Sequence, residues 1–238
     1  MADSKRKHQG ETEEQRILSS YRNRLGGHQY FTYEDPAHLS RLHERFQNTL
    51  HLLKTNGFHS FMGKKILDVG CGDGNMLRQF LQWGALPEHL AGIDLRPEPI
   101  EKAKNINPNL DLRCGSATKL SFPDANFDLV CQYTVFTSIL DSGMKRKIAA
   151  EMDRVLKPGG AVLWYDFFYN NPTNQDVQGV KKTEIKALFP HYRHHFRKIT
   201  LAPPIARRIP EALLPIFYPL LSAIPILRTH YLAVLIKR

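Results

Sequence analysis

The sequence predicts an α/β fold, a doubly wound and mostly parallel sheet of seven strands, on three observations. Short apolar runs of strand length alternate with longer stretches of helical period over residues 61–238. A glycine-rich segment, Ile66-Leu67-Asp68-Val69-Gly70-Cys71-Gly72-Asp73-Gly74, runs from the first of these strands straight into a helical pattern. That is the layout of a ligand site at the carboxyl end of a parallel strand. Finally, 238 residues with 42% hydrophobic content suffice for one substantial core.

The elements follow in order. Leu39, Leu42, Phe46, Leu50 and Leu53 fall at helical spacing and predict a helix over 38–55. A strand is expected at 65–69, a helix at 75–83 stopped by Gly84, a strand at 90–94 and a helix at 97–105. Further strands are expected near 110–113 and at 127–133, then a helix over 143–156 and a strand at 161–166. Thr183 opens a short helix that ends at Pro190, and strands at 195–201 and 230–236 finish the sheet. Residues 1–16 are polar, with no apolar stretch of a secretory leader, and read as a disordered tail. Residues 17–60 read as a helical lid, and 61–238 as the main domain with an insert at about 203–227.

The net charge of +10 is concentrated. Residues 191–238 hold eight Lys or Arg against one acid, Glu211, a local +7. Within them, 209–227 is almost wholly apolar but broken by Pro210, Pro215, Pro219 and Pro225. Its length approaches the roughly 20 residues of a membrane span. Four prolines and Glu211 forbid one continuous helix, so a transmembrane reading is rejected. Three readings stay open: extra core over the sheet edge, a cap that closes a ligand pocket, or an apolar surface flanked by Arg207, Arg208 and Arg228 that docks on an anionic membrane. Cys71, Cys114 and Cys131 form no C-x-x-C pair and read as buried thiols of a reducing, cytoplasmic compartment. His191, His194 and His195 lack a second cluster to complete a metal site, so no metal is expected.

The loop's chemistry narrows the ligand. Its spacing is G-x-G-x-G, and it carries acids at Asp68 and Asp73. A pyrophosphate on a helix N-terminus requires positive potential, which two carboxylates would oppose. They suit a cationic ligand with an ammonium and a sulfonium, and the loop reads as a site for S-adenosylmethionine.

Later segments agree. Leu90-Ala91-Gly92-Ile93-Asp94-Leu95 is a second strand ending in an acid. Cys114-Gly115-Ser116-Ala117, Leu120-Ser121-Phe122-Pro123-Asp124, Phe127-Asp128-Leu129-Val130-Cys131-Gln132 and Val155-Leu156-Lys157-Pro158-Gly159-Gly160 follow in sequence. From about residue 60 to 168 this series resembles class I S-adenosylmethionine-dependent methyltransferases, especially the small-molecule group that includes quinone and natural-product enzymes. The resemblance implies the Rossmann-like methyltransferase fold, with an antiparallel seventh strand and an N-terminal lid. It implies that Asp68, Gly70 and Gly72 hold the methionine end of the cofactor, that Asp94 binds the ribose and that Leu95 packs on the adenine. Ser116 and Ala117 stand where the family has an Asp-Ala pair reading the adenine amine, so a neutral hydroxyl replaces a carboxylate. Gln132 falls beside the transferring methyl. Tyr30 and Tyr33 in the lid line the acceptor pocket, and Asp166 and His28 are the candidate bases. Each residue also has a plainer reading, as turn, cap or core, and the ordered series favours the cofactor reading.

Three functional classes follow. The first is a methyltransferase acting on a small-molecule or lipid- or glycan-linked acceptor, at a hydroxyl oxygen, leaving S-adenosylhomocysteine. The second is a nucleic-acid methyltransferase, opposed by Gln132-Tyr133-Thr134-Val135 where an acid- or Asn-Pro-Pro-aromatic motif is required. The third is a non-catalytic partner protein of the same fold, opposed by the intact glycine loop and Asp94.

Overall fold

The structure, a computed structural model, describes residues 11–25 and 35–238. Seven strands form one sheet: β1 (Ile66–Val69), β2 (Leu90–Asp94), β3 (Asp111–Cys114), β4 (Phe127–Tyr133), β5 (Leu156–Phe167), β6 (Tyr192–Leu201) and β7 (Arg228–Lys237). The spatial order is β3-β2-β1-β4-β5-β7-β6. The pairs from β3 to β5 are parallel, and β7 runs antiparallel to both β5 and β6. Chain order reverses between β1 and β4, which places a crevice at their carboxyl ends.

Strands β1, β2 and the centre of β5 are buried on both faces, which explains their continuous apolar runs. One face packs Val69, Val130, Trp164 and Phe136 against α5 (Ser142–Val155) and α6 (Lys182–Leu188). The other packs Ile66, Cys131, Leu163 and Tyr165 against α2 (Pro36–Thr55), α3 (Asn75–Gln82) and α4 (Pro97–Ile106). Asp35 caps α2, accepting from the His38 amide at 3.0 Å, with Pro36 in the first turn.

Two expectations, the extent of the tail and the burial of all three thiols, need correction. Residues 13–16, read as tail, begin a helix, α1 (Glu13–Leu25). Thr12 and Gln15 form a reciprocal capping box: the Thr12 amide donates to Gln15 Oε1 at 2.9 Å, and the Gln15 amide to Thr12 Oγ1 at 3.3 Å. The first ten residues of the expected tail lie outside the described residues. The insert folds into two short helices, α7 (Pro203–Ala206) and α8 (Leu214–Ser222), with Pro219 inside the second. Of the three thiols, Cys71 and Cys131 are buried, but Cys114 is exposed because β3 is an edge strand.

Candidate functional site

Where β1 ends, Gly70, Gly72 and Gly74 all take positive φ (74, 54 and 79°). The loop is pinned to the end of β2: the amides of Gly70 and Cys71 both donate to the Ile93 carbonyl, at 2.7 and 3.0 Å. A side chain at Gly70 would overlap Val135 Cγ2, so the turn after β4 closes on the loop at this point. That turn is itself tight, with Thr134 at φ 58° donating its amide to the Tyr165 carbonyl at 2.8 Å.

Asp68 ends β1 inside this crevice, 2% exposed, and its Oδ1 finds no hydrogen-bond donor among the described residues. Burial, reinforced by the neighbouring Asp94, pushes its pKa up to about 8, against the opposing pull of Arg45. A buried acceptor without a donor is costly unless a partner meets it. A ligand ammonium fits that requirement. Asp73 does not share the task, because it faces Arg78 and Lys102 at 3.5 and 3.6 Å, correcting its reading as part of the cation site.

Arg45, which the sequence did not single out, stands opposite on α2. Its guanidinium lies 5.2 and 5.3 Å from the rings of Tyr133 and Tyr165, and its Nη2 is 3.8 Å from Met76 Sδ beside the glycine loop. Its buried Nε has no acceptor among the described residues. Asp68 and Arg45 therefore present an unsatisfied carboxyl oxygen and an unsatisfied guanidinium N–H to one crevice, matching the ammonium and carboxylate of an amino acid. His230 on β7 stacks on Tyr165 at 4.6 Å. Burial and the charges of Arg45 and Arg41 hold it neutral, well below the usual imidazole range.

Asp94 is more occupied than the sequence implied. Its Oδ2 accepts from the Gly72 amide at 2.9 Å and from Arg96 Nη2 at 3.2 Å, and its Oδ1 from the amide and Nε of Arg96 at 2.9 and 3.0 Å. A carboxylate 6% exposed needs compensation, and Arg96 supplies it while lying 4.3 Å from the Tyr21 ring. A ribose on Asp94 must displace that guanidinium. Leu95 and Ala117 are partly buried against the core beside this end. Gln132 is fully buried, with Oε1 accepting from the Val135 amide at 3.1 Å and Nε2 without an acceptor among the described residues.

Asp166 is placed to hold structure. It is 1% exposed, and its two oxygens accept from the Thr137 and Phe167 amides at 3.1 and 3.0 Å. Strand alternation puts it on the Trp164 face, opposite Tyr165 and the Asp68 side. Its pKa is raised by burial to about 7. The geometry supports pinning of the 136–138 turn rather than the role of base. His28, Tyr30 and Tyr33 lie outside the described residues.

A pH dependence follows. Asp68 keeps its proton to about pH 8 in the folded chain but ionises near its ordinary 3.8 when unfolded. Between those values the folded state binds more protons, so stability should fall as pH rises from about 4 toward 8 and then level. Asp166 adds a decline of the same sign up to about 7. Denaturant titrations across this range should show a shallower decline for Asp68→Asn. A variant profile parallel to the wild type would contradict the burial argument.

Residues 66–160 match the family model described as a methyltransferase domain. The chain is 31% identical over 120 residues to the sterol 24-C-methyltransferase ERG6A of Gibberella zeae, covering 48% of this chain and 30% of that protein. It is 31% identical over 111 residues to the demethylmenaquinone methyltransferase of Renibacterium salmoninarum, covering 47% and 44%. Its fold matches a SAM dependent methyltransferase from Archaeoglobus fulgidus with TM-score 0.57 at 15% identity, covering 82% of this chain and 98% of that one. The chain spans about half or less of the length of most of the curated relatives it matches. The seven-stranded sheet and the site at its reversal point define a Rossmann-like methyltransferase fold. Residues 66–160 are a methyltransferase domain, and over that region the chain is similar to S-adenosylmethionine-dependent methyltransferases.

Proposed function

We propose that this protein transfers the methyl group of S-adenosylmethionine to a hydroxylated small molecule or lipid-linked acceptor. The observation that carries this is the pair of unsatisfied buried atoms, Asp68 Oδ1 and Arg45 Nε, on side chains close enough to feel each other's charge beside the glycine loop. Asp68 would hold the cofactor's ammonium and Arg45 its carboxylate, with Gly70 and Gly72 admitting its backbone. Asp94 would take the ribose hydroxyls once Arg96 yields, and Gln132 would border the methyl end. When bound, the sulfonium supplies an activated methyl and a neutral thioether leaving group. The chain's contribution is to align the two reactants and exclude water. His230, beside Tyr165 and Arg45, is held neutral by burial and by the neighbouring guanidinium charges, so it would border the acceptor rather than take its proton.

The apolar acceptor class rests on the insert and on the relatives named for sterol and quinone substrates, whereas the hydroxyl oxygen does not, the sterol relative being named a 24-C-methyltransferase. One side of α8 packs inward through Leu214 and Tyr218, whose hydroxyl donates to Glu44 of α2 at 2.7 Å. This sets the insert beside the Arg41–Arg45 side of α2, where it would close the acceptor pocket. The other side exposes Ile216, Phe217 and Leu220, joined by Ile224 and Ile226 just after the helix, all between 43% and 77% accessible. Such a patch, with exposed Arg208 close in the chain, suits peripheral docking on an anionic membrane. No described helix is long and apolar enough to cross a membrane.

Two experiments test this reading. A mass-spectrometric screen with labelled cofactor should find the methyl on an apolar hydroxylated compound. Stoichiometric labelling of total RNA or duplex DNA instead would overturn it. Flotation with phosphatidylserine-containing liposomes should recover the protein in a salt-sensitive manner, and Leu220→Asp with Ile226→Asp should abolish recovery. Unchanged flotation of the double variant would remove the insert as the membrane contact.

A further inference from the structure

Position 116 carries a hydroxyl where the resemblance implies a carboxylate, and the structure brings a carboxylate there from the other end of the chain. Ser116 Oγ donates to Glu14 Oε1 of α1, across 102 positions of sequence. The Ser116 oxygen also accepts from the Thr118 amide at 3.2 Å and lies 2.8 Å from Thr118 Oγ1. Its proton is committed to Glu14 and its lone pairs to Thr118, so it has little capacity left for a further donor. Glu14 makes its single described hydrogen bond to Ser116, and a carboxylate accepts several.

The helix bearing Glu14 is held firmly. Glu13 Oε1 accepts from the Leu140 amide at 2.6 Å, Arg16 Nη2 donates to the Ser138 carbonyl at 2.6 Å, and Ser20 Oγ donates to Asp176 at 2.9 Å. Farther along the helix, Tyr21 covers Arg96 on Asp94. Thus α1 spans the crevice between the end of β2, the loop after β3 and the turn after β4. Leu95 and Ala117, expected to flank a purine, lie at the same end.

We propose that Glu14 is a cofactor-binding residue, supplying in trans along the chain the carboxylate that accepts the exocyclic amine of the adenine. Ser116 orients it. A charge-assisted acceptor discriminates an amine from a carbonyl, because a carbonyl oxygen offers no proton and repels the carboxylate. The inference rests on the cofactor reading above and assigns α1 as a wall of the adenosine subsite.

The test compares S-adenosylhomocysteine with S-inosylhomocysteine, in which a carbonyl replaces the amine, by calorimetry on the full chain. Wild type should prefer the adenine compound. Glu14→Ala should weaken it by about tenfold to a hundredfold, the range for a hydrogen bond to a charged group, while leaving the inosine compound nearly unchanged. Adding Ser116→Asp to Glu14→Ala should restore the preference by returning the acid to the loop after β3. If Glu14→Ala keeps the wild-type preference, the assignment is wrong. Equal weakening of both compounds would reduce Glu14 to holding α1, and overturn it too. Wild type that binds neither compound would contradict the cofactor reading itself, a result distinct from the other two.

Discussion

Gly70→Ala is expected to cost about 2–5 kcal/mol of stability and to abolish cofactor binding. Two costs add: roughly 1–2 kcal/mol for an L-residue in left-handed backbone, and about 1–3 kcal/mol for forcing a methyl into a packed site. Gly70 sits at φ 74°, and its Cβ would overlap Val135 Cγ2. Gly159 provides the control, since it has the same φ of 74° but nothing within 4 Å of an added Cβ. Gly159→Ala should therefore show only the backbone cost. Thermal melts of both variants separate the effects, and equal losses would mean that Val135 yields freely and the loop is not clamped by the turn after β4.

Asp68→Asn should uncouple stability from binding. The amide removes a buried carboxyl whose ionisation opposes folding, so the variant should be more stable than wild type at about pH 8 and lose that advantage near pH 4. Cofactor affinity should nonetheless fall by roughly 1.5–3 kcal/mol, about tenfold to a hundredfold, because the ammonium loses its charged acceptor. Gains in stability with losses in binding are the pattern of a residue kept for its site. Unfolding titrations and calorimetry read the two halves separately, and a variant that binds as wild type does would remove Asp68 from the site.

The order of strands and helices was legible because the periodicities were clean: β2 and β4 begin and end where the apolar runs do. The glycine loop was legible because its three positive-φ positions require the residue that is written there. What was missed has a common cause. Arg45, Glu14 and His230 lie on α2, α1 and β7, and meet Tyr133, Ser116 and Tyr165 only through tertiary packing. Arg45 looks like one more polar residue of an amphipathic helix. Glu14 lay in a stretch read as tail, although Thr12-Glu13-Glu14-Gln15 carries the capping-box signature that announces a helix. Asp94 and Asp166 show the converse limit. An acid closing a strand can be recognised from sequence, but its partners, Arg96 in one case and the Thr137 amide in the other, cannot.

The central claim is that the crevice between Asp68 and Arg45 receives the zwitterionic end of S-adenosylmethionine. Calorimetric titration of the wild-type chain at about pH 7, in buffers of different ionisation enthalpy, tests it most directly. Asp68 is protonated there before binding, and a neighbouring ammonium lowers its pKa, so binding should release up to about one proton. Arg45→Ala should weaken binding while Asp68 still releases its proton. Absence of binding at millimolar cofactor, or binding with no proton release and no dependence on Arg45, would contradict the account.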